Sequence, residues 1–228
     1  MAASRIRFAV VSIFLLLAPV AAQADDAQFP IMADDGTVIA NHSVPNELIA
    51  RIEKLKNIVV AANPNGKVTL YEFYDLNCPY CRRASLDIGD MVESNPNLRL
   101  VLVPFPVLGI PSILAARVEY GVARPASPEN FYKFHHKVYD GRGVIDDARA
   151  FAAAQAVGLD VVEVRKIASE DAFAAVMKEH LRVGSALGIQ ATPGLVIGGV
   201  TIVGYPGKKA LTEVVAAVSH CGTVMCPK

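Results

Sequence analysis

Apolar and polar positions follow two different rhythms along this chain. Val68-Thr69-Leu70-Tyr71-Glu72-Phe73-Tyr74 and Leu98-Arg99-Leu100-Val101-Leu102-Val103 are short runs rich in β-branched and aromatic residues, and they predict strands. Leu195-Val196-Ile197 and Val200-Thr201-Ile202-Val203 flank Gly198-Gly199, which predicts a two-residue hairpin. From Ile110 to Gly188 alanine becomes frequent and the spacing turns helical. Helices are expected near 110–121, 127–140, 146–157, 160–168 and 171–187, punctuated by Gly141-Arg142-Gly143 and Gly158.

The remaining pattern frames these blocks. Pro45 to Lys56 reads as an amphipathic helix with Leu48, Ile49, Ile52 and Leu55 on one face. Asn63-Pro64-Asn65-Gly66 is a turn, and a helix runs from Cys78 to about Ser94, broken by Asn95-Pro96-Asn97. Lys208 to Ser219 reads as a closing amphipathic helix. Residues 25–45 are polar, with a turn at Asp34-Asp35-Gly36 and a short strand at Thr37–Ala40. The order is strand, helix, strand, helical insertion, hairpin, helix. The first two strands, joined by a helix, should be parallel. The expected fold class is α/β, a small mixed sheet flanked by helices, with a helical insertion at about 108–188.

The first residues change the picture of where the chain works. Arg5 and Arg7, the apolar run Phe8–Ala18, Pro19 and Ala22-Gln23-Ala24 have the layout of a cleavable export signal over 1–24. The apolar run is short for a membrane span, and no later segment is long and apolar enough. The alternative is a retained N-terminal anchor. Removing the signal lowers Lys plus Arg from 22 to 20 against 22 acids, a formal net charge of −2. That near-neutral balance argues against nucleic acid or an anionic membrane as the main partner. A mature chain of this length buries an adequate core without staples, so its four cysteines call for chemistry.

Cys78-Pro79-Tyr80-Cys81 follows a strand and opens a helix. The unpaired N–H groups and positive end of that helix favour a thiolate. The alternatives are a structural disulfide or half a metal site. A zinc site would need two more ligands, and Cys221, Cys226 and His220 sit at the far end of the closing helix. Cys221 and Cys226 are spaced for a local structural disulfide, with Gly222 allowing a tight bend; a second redox couple, or a Cu(I) site with His220 and Met225, is the sharper alternative. His135, His136 and His180 read as partly exposed helix residues, and adjacent His135 and His136 point in different directions.

Three stretches resemble the DsbA family of thioredoxin-fold proteins, in the broad sense that includes DsbG-like isomerases and ScsC-like proteins. They are Phe73–Cys81, Gly188-Ile189-Gln190-Ala191-Thr192-Pro193-Gly194, and the inserted helical block, and the resemblance covers roughly residues 58–219. It implies a thioredoxin-like domain over 58–220, preceded by an extension over 25–57 and followed by a tail over 221–228. It implies that Cys78 is the attacked cysteine and Cys81 the resolving one. Glu72 would assist proton transfer to or from Cys81, with a solvated edge-strand carboxylate as the alternative. Pro79 and Tyr80 would tune the thiolate. Pro193 would be cis, and the Thr192 backbone would pair with an extended substrate. Arg82 and Arg83 either support the thiolate or form a solvated helix face.

The expected function is therefore an exported thiol:disulfide oxidoreductase, foremost an oxidase. Its partners would be cysteine-bearing protein substrates and a separate redox partner that resets the site. No cofactor is implied, because the cysteines carry the electrons. Pro79-Tyr80 and Thr192 resemble DsbG-like and ScsC-like proteins more than DsbA, so an isomerase or reductase is the alternative. In that case the helix at Pro45–Lys56 would serve as a homo-oligomerisation arm rather than packing on its own domain. A copper-binding or thiol-holding module is the alternative from another class.

Overall fold

The structure, a computed structural model, describes residues 28–227, so the export signal expected over 1–24 lies outside the described residues. No helix among the described residues is long and apolar enough to cross a membrane.

One mixed sheet organises the chain. Its strands are β1 (Asn41–Ser43), β2 (Val59–Ala62), β3 (Val68–Tyr74), β4 (Leu98–Pro104), β5 (Gly194–Ile197) and β6 (Val200–Val203), side by side in the order β1-β6-β5-β3-β4-β2. β3 and β4 run parallel from Val68–Leu98 to Tyr74–Pro104, and helix α2 (Pro79–Ser94) makes the crossover. β5 and β6 form an antiparallel hairpin whose Gly198 and Gly199 both have positive φ, 56° and 77°, as the tight turn demands. β5 also pairs antiparallel with β3, placing Gly194 opposite Phe73. Thr192 and Pro193 therefore lie beside the end of β3, where the chain turns toward Cys78.

The other helices are α1 (Asn46–Ile52), α3 (Ile110–Val122), α4 (Pro128–Val138), α5 (Asp147–Ala156), α6 (Val161–Ala168), α7 (Ala172–Ala186) and α8 (Lys208–Cys221). Side-chain caps fix three starts in the insertion: Ser127 accepts from Asn130 N–H, Asp146 from Arg149 N–H, and Asp160 from Val162 and Glu163 N–H. Alternation along β3 divides the core. Leu70 and Tyr74 join α2, α8 and much of the insertion on one face. Tyr71 and Phe73 join Val183 of α7, Leu187 just after it and Ile52 of α1 on the other. Glu72 falls on the first face by its spacing from Leu70 and Tyr74. This is the α/β arrangement with a helical insertion that the sequence predicts.

Several local expectations are corrected. The strand expected at Thr37–Ala40 is only an isolated bridge from Val38 to Met32; the strand is Asn41–Ser43. Pairing with the edge of β6 overrides the weak strand propensity of Asn-His-Ser, and buried Asn41 donates its amide to the Phe29 and Ile39 carbonyls. β2 is an edge strand that its short Val-Val-Ala-Ala pattern did not reveal. α1 ends at Ile52 rather than Lys56: the Lys54 and Leu55 N–H groups bond the Arg51 and Ile52 carbonyls in tighter turns, and Asn57, left-handed at φ 63°, then leads the chain into β2. His135 and His180 are 1% and 0% exposed rather than partly exposed. His180 bridges the Pro104 and Lys56 carbonyls at 2.8 and 2.7 Å, so interior backbone groups recruit it inward. The apolar face of α1 covers its own sheet through Ile52, with Leu48 and Ile49 packed beside it.

Candidate active site

β3 delivers the chain to the site and α2 carries it away. Cys78 is the N-cap of α2, in extended backbone at φ −77° and ψ 121°, and its Sγ accepts from the Cys81 N–H at 3.4 Å. Pro79 follows at the first helical position, where its missing N–H costs nothing. Cys78 Sγ also lies 3.1 Å from the Thr192 carbonyl oxygen, to which the thiol donates. The Thr192–Pro193 bond is cis. Gly194, the next residue, is packed too tightly on Ile189 for a side chain: a Cβ there would sit 2.4 Å from the Ile189 side chain.

The turn between β3 and α2 is strapped to the insertion. Buried Asp75 accepts from Asn77 N–H at 2.8 Å and from the Ser112 hydroxyl at 2.7 Å through one carboxylate oxygen. Through the other it accepts from the Val107 and Leu108 N–H groups at 2.8 and 2.9 Å. Asn77 exchanges two 2.8 Å hydrogen bonds with the Ile145 backbone. These two residues hold the cysteine loop against the start of the insertion and against its α4–α5 connection, and sequence reasoning missed them. Their signal was the Asp-Leu-Asn turn chemistry just before the first cysteine.

The two thiols differ sharply. Cys78 is lowered to about 6, first by hydrogen bonding from Cys81, against an opposing effect of burial, with further support from the Thr192 side chain and the Cys81 and Tyr80 backbone. Cys81 is pushed far upward, first by burial and then by its hydrogen bond to Cys78 and the charges of Glu72 and Cys78. Both thiols are free and buried. A cleft of about 270 Å³ beside Cys78 is lined by Asn77, Pro79, Arg82, Arg142 and Ile145, among others. Tyr80 is 65% exposed, beside a separate depression lined by Arg83, Asp87 and Tyr205. A larger cavity of about 670 Å³ lies between the segment that follows α1, the end of α3 and α7, and includes neither cysteine.

Glu72 is 1% exposed, on a strand with neighbours on both sides, so the solvated edge-strand reading fails. Burial, then the charge of Cys78, raises its carboxyl to about 8. Arg82 donates to the Gly141 carbonyl and lies over the Tyr139 ring, while exposed Arg83 pairs with Asp87 at 2.7 Å. Cys221 and Cys226 are disulfide-bonded with Cα atoms 5.7 Å apart, which removes both from the copper set weighed with His220 and Met225. Among the described residues no group of three or more His, Cys, Asp and Glu is placed to hold a metal ion.

Comparison with known proteins decides the family. The thioredoxin family model matches residues 54–217, most of the chain. The chain belongs to the thioredoxin family. A dithiol at a helix start, facing the cis-proline loop of that fold, makes this thioredoxin-family protein a thiol:disulfide oxidoreductase. Among solved structures it is similar to a thioredoxin-like oxidoreductase from Silicibacter pomeroyi, 29% identical, with a TM-score of 0.66, covering 73% of this chain and 94% of that one. It is similar to a periplasmic thioredoxin-like protein from Salmonella enterica serovar Typhimurium, 25% identical, with a TM-score of 0.67, covering 77% and 97%. It shares its fold with the catalytic domain of Proteus mirabilis ScsC, 24% identical, with a TM-score of 0.64, covering 75% and 94%. No curated protein matches the chain.

Proposed function

We propose that this thioredoxin-family protein is an exported oxidase that transfers its Cys78–Cys81 disulfide to cysteine pairs of protein substrates in the periplasm. The observation that carries this reading is the asymmetry of the two thiols. A Cys78 thiolate stabilised at about 6 is a good leaving group, and its stability favours the reduced protein, which is the thermodynamic definition of an oxidant. The Arg-flanked apolar run and A-x-A site over 1–24 support export, and the Salmonella relative is named as periplasmic. In this reading residues 25–57 are an extension, 58–220 the catalytic domain and 221–228 a tail.

The reaction runs in two exchanges. A substrate thiolate attacks Cys78 in the Cys78–Cys81 disulfide; the new sulfur–sulfur bond forms as the old one breaks. Cys81 leaves as a thiolate and takes a proton from the neutral Glu72 carboxyl. A second substrate thiolate then attacks the substrate sulfur of the mixed disulfide and expels the Cys78 thiolate. The substrate leaves with a disulfide, the enzyme keeps two electrons, and a separate redox partner removes them. Thr192 presents its backbone beside Cys78 for an extended substrate. Exposed Leu108, Ile110 and Ile113, next to the turn that Asp75 holds, supply an apolar surface suited to unfolded polypeptide.

The test is the refolding of reduced, denatured ribonuclease. Oxidised protein should form disulfides stoichiometrically, and Cys78→Ser should form none. Oxidised protein that forms none above the uncatalysed blank would refute the reading. The isomerase or reductase alternative draws on Thr192 and Pro79-Tyr80. It predicts that reduced protein, not oxidised, unscrambles ribonuclease. It also calls for an oligomer, whereas the apolar face of α1 is spent on its own domain.

A further inference from the structure

Eight buried side-chain polar atoms have no hydrogen-bond partner among the described residues, and five of them belong to four residues gathered beneath the dithiol. They are both carboxyl oxygens of Glu72, Oε2 of Glu119, Nδ1 of His135 and the hydroxyl of Tyr139. Buried polar groups are ordinarily satisfied, and clusters of unsatisfied ones are where ordered water resides. Orphaned atoms scattered through the core would suggest only local imperfections. Their concentration in one place calls for a shared explanation.

The cluster joins two layers of the molecule. Glu72 comes from β3, the other three from the insertion. Glu119 on α3 accepts from the Tyr74 hydroxyl at 2.5 Å, and His135 Nδ1 stands 3.9 Å from the same carboxyl oxygen. The His135 ring meets Tyr74 edge-on at 4.6 Å and Tyr139 at 5.3 Å. Tyr139, at the end of α4, is the shared neighbour: its phenol senses the charges of Cys81, Glu72, Glu119 and Cys78. Asp75 from the turn after β3 and His180 from α7 are the other titratable groups facing Glu119, and Cys78, Cys81 and the phenols of Tyr74, Tyr132 and Tyr139 face Glu72.

The mechanism above leaves a gap that this cluster fills. Glu72 surrenders its proton to Cys81 in every turnover, yet it is buried and must be recharged. We propose that Tyr139, with Glu119 and His135 behind it, forms a water-bridged proton relay that returns protons to Glu72 beneath Cys81. Tyr139 and Glu119 are positioning residues, since they act through Glu72 and touch neither sulfur nor substrate. Burial holds the Glu119 carboxyl up at about 8 and the His135 ring down at about 3, so near neutral pH both carry exchangeable hydrogen without charge. In the reverse direction the same chain accepts the proton that Cys81 gives to Glu72, so the balance holds for either direction of electron flow.

The proposal rests on the exchange chemistry assigned to Cys78, Cys81 and Glu72. Its test is a multiple-turnover experiment in which full-length protein oxidises a reduced cysteine peptide, with excess oxidised glutathione resetting the dithiol and samples quenched in acid. The steady-state rate of peptide disulfide formation, above the uncatalysed blank, is followed against pH. Tyr139→Phe deletes only an atom that has no protein partner, so the fold is expected to hold. The rate should fall on the order of tenfold, part of the usual general acid–base contribution. The loss should be greatest above about pH 8, where Glu72 depends most on resupply. The Cys78 thiolate midpoint, read by ultraviolet absorbance, should not move. Glu119→Gln should show the same pH-dependent loss, and Glu119→Asp should recover part of it. A Tyr139→Phe rate equal to or above that of the wild type at every pH overturns the relay. So does a slowdown uniform across pH, or a shifted Cys78 midpoint, which would assign the effect to packing. A wild-type protein that oxidises no peptide above the uncatalysed blank refutes the underlying function instead.

Discussion

The chain carries two cysteine pairs at opposite ends of two helices, and the contrast explains why only one is reactive. Cys78 caps the start of α2, where unpaired N–H groups and the positive end of the helix stabilise a thiolate. Cys221 is the last residue of α8, followed by Gly222 in the left-handed cap at φ 78°. A helix end of that polarity opposes a thiolate. The first pair is free and faces the Thr192 carbonyl; the second is closed as a disulfide in the tail. Position in the helix, rather than the count of residues between cysteines, separates a working couple from a clasp.

Breaking each pair should separate these roles most strongly. Cys78→Ser should reduce disulfide transfer to the uncatalysed level, while Cys221→Ser should leave the transfer rate unchanged. The second change should instead lower stability to denaturant by about 2 kcal/mol, the loop-closure entropy of so short a ring. A Cys221→Ser protein with impaired transfer would erase the distinction.

The buried carboxyl under the first pair gives the next largest effect. Glu72→Gln should slow transfer on the order of 100-fold. It should also stabilise the protein at alkaline pH. The Glu72 carboxyl is raised from 4.5 to about 8 by folding, so its stabilising contribution is full below about 4.5 and is lost as pH rises toward about 8. Glutamine cannot ionise, so the advantage of the variant should grow across that window to several kcal/mol by linkage. Urea unfolding at both ends of the window checks the sign.

The thiolate itself should leave a signature that the tail disulfide lacks. Cys78 is lowered from 9.0 to about 6 in the folded reduced protein, so its contribution is present above about 9 and is lost as pH falls through about 6. Reduced protein should lose stability over that range relative to oxidised protein. The smallest expected effect is at the docking loop. Thr192→Val removes a side chain that lowers the Cys78 value, so the thiolate midpoint should rise slightly.

Much of this was legible in the sequence, and the exceptions have physical causes. The five insertion helices stand within a few residues of their expected places, because caps such as Ser127 and Asp160 mark their starts. β3, β4 and the Gly198-Gly199 hairpin were plain from their apolar runs. β1 and β2 were not, since their pairing comes from β6 and β4, far away in the chain. At the site, Cys78 and Cys81 stood out by motif, and Glu72 through the resemblance to the DsbA family. Glu119, His135 and Tyr139 did not, because each looks like an ordinary helix residue until the insertion folds onto β3. Tertiary placement turned them into a buried cluster, and no local pattern announces that.

The most direct test of the central claim is the reduction potential of the Cys78/Cys81 couple, equilibrated against glutathione with Cys221–Cys226 intact. A thiolate stabilised at a helix start predicts an oxidising couple, near about −120 mV. A value near about −270 mV, typical of a reductant, would contradict the proposed direction of electron flow through Cys78.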